Sequence, residues 1–276
     1  MKVKNFMILG GDNRNIELGN LLYEDGHHVS ISHIKGLNFK ESDIIIGPLP
    51  FSKDNKTVNA PFHTNEIPIE IILENIKNDQ LLIAGKIEDE HRLKAKDYGI
   101  DIVDYFDREE LQVLNAIPTV EGAIKLAIDN SSITLHSSNV LILGFGRIGK
   151  FLAKMLYGIG ANVHIAARKH SDIAWIKNLK YKPIWIGQLD EYINNMDFVF
   201  NTIPFLILTK DKLKHLHKNT LIIDLASQPG GIDFIGAKEL GIKAIHALGL
   251  PGKVAPVTAA KIIKETIYNI IEERGI

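Results

Sequence analysis

The chain has 276 residues, 45% apolar and 24% charged, with a formal net charge of -1 and no cysteine. At about 150 residues per domain the length points to two domains, while the near-neutral charge removes the basic field that nucleic acid or an anionic membrane would require. Without thiols there are no disulfides, thiolate metal sites or cysteine nucleophiles. The early apolar stretch, residues 6–9, is too short for a secretory core. The longest apolar run, residues 198–208, is interrupted by Asn201, Thr202 and Pro204 well short of the ~18 residues of a membrane span. These features predict an intracellular, cytoplasmic protein.

In chain order, residues 3–10 read as a short buried strand. A glycine turn, a helical pattern ending at Gly26 and a second strand over residues 29–32 follow. Residues 43–50 form a strand closing in a proline-bearing loop, residues 80–86 another strand, and Tyr98-Gly99-Ile100 a helix end. The same succession returns at residues 137–144, at a helix ending in Gly160, and at residues 163–166, 197–204, 220–227 and 240–242. The first βαβ match runs without a gap, which favours a tandem architecture over generic α/β patterning.

The expected fold class is therefore α/β: two Rossmann-like doubly wound domains with an interdomain cleft. Residues 1–115 would form a substrate domain and 131–256 a nucleotide domain. An interdomain helix would occupy 116–130, with Thr119 near its start. The helix over 257–276 carries Ile262, Ile263, Thr266, Ile267, Ile270 and Ile271 at helical spacing and is expected to pack back on the first domain.

Gly144-Phe145-Gly146-Arg147-Ile148-Gly149 follows a predicted strand and opens a predicted helix, the context a dinucleotide fingerprint needs. The glycines permit a tight turn, let backbone N–H groups approach a pyrophosphate and allow close helix–sheet packing. In the first copy Asp12 stands where Gly146 does and Asn15 where Gly149 does; a carboxylate there repels phosphate. Asp12 and Arg14 either face the cleft or are a turn former and a solvated cation. About twenty residues past the glycines an acid would bind a ribose 2′-hydroxyl. Arg168 and Lys169 stand there instead, which favours NADP over NAD unless they are simple surface charges. Asn201-Thr202-Ile203-Pro204 and Ala226-Ser227 end later strands and should line the nicotinamide end. Residues 249–256 read as a stiff loop, a hinge or the carrier of a charge on Lys253. No HExxH, GxSxG or P-loop motif occurs, and His215 and His217 read as solvated, so no metal site is expected and redox chemistry is what survives.

The ordered set of Gly-Gly-Asp12-x-Arg14, Pro48-Leu49-Pro50, Asn115 through Gly122, Gly144-Phe145-Gly146-Arg147, Asn201-Thr202-Ile203-Pro204, Ile223 through Gly231 and Leu250 through Pro256 resembles the family of dipicolinate synthase A subunits across nearly the whole chain. The resemblance implies a sporulation enzyme of the mother-cell cytoplasm that works with a flavoprotein-like B subunit. It would convert a hydroxylated tetrahydrodipicolinate, from a branch of the lysine pathway, to pyridine-2,6-dicarboxylate. Water and two electrons would be lost, and the nicotinamide would take a hydride. A dicarboxylate substrate needs cationic or hydrogen-bonding partners: Arg14 and Lys253 are candidates for the carboxylates, Thr119 and Ser227 for hydrogen bonds, and Glu121 for acid–base work or, alternatively, for a first-turn carboxylate favouring the helix dipole. Further copies of the chain are expected as partners. The rivals are another NAD(P)-dependent hydroxy acid or shikimate-type dehydrogenase, and a nucleotide-binding regulatory protein with a catalytic partner.

Overall fold

The computed structural model describes residues 2–31, 39–63 and 65–276; Ser32, the last residue of the expected second strand, lies outside them. The chain divides into two compact units, one of residues 1–115 with 251–276 and one of residues 116–250. The first contains β1 (Asn5–Ile8), α1 (Asn13–Glu24), β2 (His28–Ile31), β3 (Ile44–Ile46), α2 (Ile69–Asn75), β4 (Leu81–Ala84), α3 (Asp89–Asp97) and β5 (Asp101–Asp104). Its strands pair in parallel in the order β2-β1-β3-β4-β5. Strands β3 and β4 are buried throughout, as a parallel sheet covered on both faces requires. Successive residues point to opposite faces. Phe6, Ile8, Ile44 and Ile46 pack with Leu18 and Leu22 of α1, while Met7, Leu9 and Ile45 pack with Ile72 and Leu73 of α2.

The boundary between the units falls inside α4 (Glu109–Asp129). The helix expected to start near Thr119 therefore starts ten residues earlier. Glu109 and Glu110 occupy its first turn, where carboxylates favour the positive end of the helix dipole. Pro118, which resembles a helix start, lies in the interior. It removes one backbone hydrogen bond, and packing carries the helix past it: Leu111 belongs to the first unit's core and Val120, Ala123 and Ala127 to the second's. Among the described residues α4 is the one helix long and apolar enough to cross a membrane; those four side chains are engaged in the cores.

The second unit contains β6 (Asn139–Leu143), α5 (Arg147–Ile159), β7 (Asn162–Ala167), α6 (His170–Asn178), β8 (Lys182–Trp185), α7 (Leu189–Tyr192), β9 (Phe198–Asn201), α8 (Lys210–Leu213), β10 (Leu221–Asp224), α9 (Phe234–Glu239) and β11 (Lys243–His246). Its order, β11-β10-β9-β6-β7-β8, is the 3-2-1-4-5-6 order of dinucleotide-binding doubly wound sheets. The first unit has the shorter 2-1-3-4-5 order, so the repetition seen in the sequence stops short of an α6–β8 equivalent.

The stretch expected as a stiff loop contains a short helix, α10 (Leu250–Val254), followed by α11 (Pro256–Arg274). Pro251 and Pro256 sit in first turns, where a missing N–H costs nothing. In the first unit α11 lies along α1, and Ile263, Ile267, Ile270 and Ile271 complete the core. Lys264 Nζ, midway along α11, pairs with Asp25 at 2.6 Å, and Glu273 near its C-terminus pairs with Arg108 at 2.6 Å.

Candidate functional site

Both sheets reverse their strand order beside their first strand, between β1 and β3 and between β6 and β9. Ligands of open α/β sheets bind outside the C-terminal strand ends at such points. In the second unit this end is the Gly144–Gly149 turn. Gly144 has φ +98°, and a Cβ there would lie 2.5 Å from Thr202 Oγ1. A Cβ at Gly149 would overlap the Gly144 carbonyl oxygen, so α5 approaches the strand as closely as backbone permits. A Cβ at Gly146 meets no protein atom within 4 Å. Gly146 is also the N-cap of α5, without a side chain to accept from the first-turn N–H groups and with no acid in that turn. An uncapped helix N-terminus behind an open glycine fits a pyrophosphate in charge and hydrogen bonding. Arg147 is exposed, Ile148 half-buried and Gly149 buried.

The strand ends facing this turn are held by a polar network. Asp224, fully buried, accepts from Asn201 Nδ2 (2.7 Å) and the Ala226 N–H (3.0 Å) through Oδ1, and from the Gly231 N–H (2.8 Å) through Oδ2. Asn201 is also fully buried; its Nδ2 donates to the Ile203 carbonyl (3.0 Å) and its Oδ1 accepts from the Ile203 N–H (3.1 Å). Thr202 Oγ1 donates to the Leu143 carbonyl at 2.8 Å. Asn201 thus shapes the loop with an amide already engaged, whereas Ile203 is half-buried and Pro204 and Ser227 are exposed beside it. Asp224 lies inside the Ile223–Gly231 motif, which by itself assigns it no role. Its signal was an acid ending a run of buried apolar strand residues, a position charged side chains rarely take without partners.

At the end of β7, Arg168 and Lys169 are exposed, and neither side chain has a hydrogen-bond or ion-pair partner among the described residues. β7 itself carries no acid. Thr119 is half-buried and Glu121 exposed, both in mid-helix of α4. Glu121 is consequently not the first-turn carboxylate considered above.

In the first unit the corresponding turn is closed. Asp12 is the N-cap of α1, and its Oδ1 accepts from the Arg14 N–H (3.0 Å). The carboxylate also pairs with the Arg14 guanidinium, Nε to Oδ1 at 2.9 Å and Nη2 to Oδ2 at 2.8 Å. Arg14 Nη2 donates further to the Leu49 carbonyl at 2.6 Å. Arg14 is 6% exposed and so is not a solvated cation. Burial opposes the Asp12 charge, but its bonds to Arg14 prevail and hold the carboxyl below the usual carboxylate range. Gly252 packs closely on the pair, a Cβ there lying 2.9 Å from both Arg14 Nε and Asp12 Oδ2. Lys253, next to it, is exposed and unpaired among the described residues. No group of three His, Asp or Glu that would hold a metal occurs among the described residues.

A doubly wound unit with an open phosphate turn, joined to a second parallel α/β unit, has the build of a dinucleotide-binding enzyme, and its match to an NAD-binding dehydrogenase domain makes it an NAD(P)-dependent oxidoreductase. Residues 119–228 match the family described as D-isomer specific 2-hydroxyacid dehydrogenase, NAD binding domain, and residues 5–106 match the N-terminal domain of the dipicolinate synthase A subunit. The chain is 32% identical over 282 residues to the dipicolinate synthase A subunit of Bacillus subtilis (strain 168), covering 96% of this chain and 95% of that protein. The crystal structure of the Bacillus halodurans A subunit superimposes with a TM-score of 0.89 at 30% identity, covering 97% of each chain. That of the Bacillus subtilis protein does so at 0.88 and 31%, covering 99% of this chain and 97% of that one. The chain belongs to the family of dipicolinate synthase A subunits.

Proposed function

We propose that the chain is the catalytic A subunit of a dipicolinate synthase that oxidises a hydroxy-tetrahydrodipicolinate to pyridine-2,6-dicarboxylate with NADP. The observation that carries the reading is the full-length similarity to the Bacillus subtilis A subunit, over 96% of one chain and 95% of the other, on a unit whose phosphate turn is open. The conversion removes one water and two hydrogens from the ring. NADP supplies the acceptor for one of those hydrogens as a hydride, the other leaving as a proton. Gly144, Gly146 and Gly149 give the backbone access for the pyrophosphate, with Arg147 and Ile148 beside it in the first turn of α5. Arg168 and Lys169, exposed and unpaired among the described residues, favour the 2′-phosphate of NADP over the bare ribose of NAD. Thr202, Ile203, Pro204 and Ala226 stand on the loops that the Asp224–Asn201 network holds, toward the nicotinamide end.

On the substrate side, Arg14 keeps Nη1 without a partner among the described residues, and Lys253 is unpaired; both are suited to carboxylates. Thr119 and Ser227 offer hydroxyls, and Glu121, exposed in mid-helix, is the candidate to carry the ring proton. The wider setting of this reading is a flavoprotein-like B subunit, further copies of this chain, and the cytoplasm of a sporulating mother cell. The test is a coupled assay with aspartate semialdehyde, pyruvate, the lysine-pathway synthase and NADP, following NADPH and pyridine-2,6-dicarboxylate together, with and without the B subunit. Product from the chain alone is the expected result. Absence of product in both formats, with NADP still bound, would overturn it.

A further inference from the structure

The strand ends of the second sheet fall on two sides of β6. In the order β11-β10-β9-β6-β7-β8, the loops after β9 and β10, which carry the nicotinamide end in the reading above, stand on one side of the phosphate turn; β7 and β8 stand on the other. A dinucleotide whose pyrophosphate occupies the Gly144–Gly149 turn therefore lays its remaining half, a ribose and a purine, over the ends of β7 and β8. The registers decide which residues meet it. Leu143 pairs with Ala166, and Ala167, the last residue of β7, pairs with Trp185, the last of β8. Trp185 thus stands two strands, roughly 10 Å, from the strand that enters the phosphate turn.

Arg168 and Lys169 leave β7 at this point, and His170 opens α6. The His170 imidazole is stacked on the Trp185 indole, with ring centroids 4.7 Å apart and planes at 29°. His170 is exposed and Trp185 half-buried, so the imidazole is the outer ring and the indole backs it. A Cβ at Gly187 would lie 3.4 Å from Trp185 Cδ1, so the indole in turn rests against the loop that follows it. Neither side chain has a hydrogen-bond or ion-pair partner among the described residues. An exposed ring held flat by a second ring is a ready surface for a nucleobase, whose π-face stacks on aromatic side chains. Asp172, in the same first turn of α6, opposes a phosphate over His170. That leaves the ribose phosphate to Arg168 and Lys169 and the imidazole face to a flat, uncharged group.

We propose that His170, backed by Trp185, is the purine-binding residue of the dinucleotide site, stacking on the adenine while Arg168 and Lys169 hold the ribose phosphate. The inference rests on the NADP reading above. It is tested on the full chain by equilibrium titration with NADPH, adenosine 5′-monophosphate, adenosine 2′,5′-bisphosphate and nicotinamide mononucleotide, for the native protein, His170→Ala, His170→Phe and Trp185→Leu. His170→Ala should lose about tenfold in affinity for each of the three purine nucleotides, equivalent to ~1.4 kcal/mol, an effect of the size a base stacked on an aromatic side chain gives. His170→Phe, which keeps a flat ring, should recover most of it, and Trp185→Leu should show a loss in the same direction. Affinity for nicotinamide mononucleotide, which has no purine, should stay unchanged throughout. Equal purine affinity in native protein and either His170→Ala or Trp185→Leu would overturn the inference and leave the dinucleotide reading standing. A parallel loss of nicotinamide mononucleotide affinity would also overturn it, since the pair would then support the whole site rather than the purine. His170-dependent binding of adenosine 5′-monophosphate, with no gain from the 2′-phosphate, would support the stack and sink the preference for NADP. No binding of any nucleotide by the native protein would overturn both.

Discussion

The two glycine turns have almost the same backbone and opposite chemistry. The N-cap of α1, Asp12, has φ -103° and ψ -163°; the N-cap of α5, Gly146, has φ -81° and ψ -162°. Both are extended conformations open to any residue, so side chains, Asp12 and the Arg14 paired with it, make the difference. Each sheet has a buried acid at a strand end, Asp104 on β5 accepting from the Lys86, Ile87 and Phe106 N–H groups and Asp224 on β10, and the first unit has a further carboxylate in its turn. That further carboxylate caps its helix and locks Arg14 to the Leu49 carbonyl. In the second unit Asp224 ties the ends of β9 and β10 together, and the helix N-terminus stays exposed. A phosphate site is kept by leaving the turn itself without a carboxylate.

Removing the buried strand-end acid of the second unit should have the largest effect. Asp224→Ala leaves Asn201 Nδ2 and the Ala226 and Gly231 N–H groups without their buried acceptor, at roughly 1–3 kcal/mol each before relaxation. The expected loss is about 3–5 kcal/mol, a fall in melting temperature of roughly 10 °C or more at this chain length. Asp224→Asn, which keeps one acceptor oxygen but turns an amide toward the Gly231 N–H, should lose about half as much. Thermal unfolding of the three proteins checks both. A change of a degree or two would mean the network does not hold the strand ends.

The next experiment converts the second turn into the first. Gly146→Asp requires no backbone change and places a carboxylate where a pyrophosphate would lie. As an N-cap it should maintain stability or raise it by about 0.3 kcal/mol. NADPH affinity should fall by about a hundredfold or more, ~2.7 kcal/mol. Loss of stability together with affinity would refute the comparison, since it assigns the glycine to ligand access alone. Further along the same strand–helix unit, Arg168→Asp should shift discrimination from NADP toward NAD by roughly tenfold, ~1.4 kcal/mol, read as the ratio of the two dissociation constants. An unchanged ratio would return Arg168 to the surface charges.

What the sequence disclosed follows from how local each feature is. The tandem βαβ units and the Gly144–Gly149 turn were legible because strand, glycine and helix signals lie within about thirty residues of one another. Asp12 was readable as a departure from that turn. That it pairs with a buried Arg14 was not, because the pair is completed by the Leu49 carbonyl, thirty-five residues away from Arg14. The start of α4 was hidden by Pro118, which carries a stronger local signal than Glu109 and Glu110 but is overridden by packing. Asp224 owes its chemistry to contacts set by the sheet order, and that order differs between the two units.

The comparison extends to a smaller effect, at the two units' buried polar groups. Asp224 and Asn201 have their bonds made; in the first unit His91, on α3, is 1% exposed and neither ring nitrogen has a hydrogen-bond partner. Its ring stands edge-on to Phe51 at 6.0 Å. Burial lowers its pKa below the ordinary 6.5, against the opposing pull of Glu90, Glu88 and Asp54, while Lys94 acts in the same direction as burial. The folded chain thus holds His91 neutral where the unfolded chain takes up a proton. Stability is unaffected above pH 6.5 and declines as pH falls through 6.5 toward the lower folded value, with a slope of at most about 1.4 kcal/mol per pH unit from this residue. Urea unfolding at pH 7.5, 6.5 and 5.5 should show the native protein losing stability faster than His91→Leu, which fills the space without a titrating ring. His27 and His164 are also depressed by burial and titrate in both proteins, so the difference between the two curves isolates His91. Parallel curves would mean that the folded unit opens at His91 and lets it protonate in water.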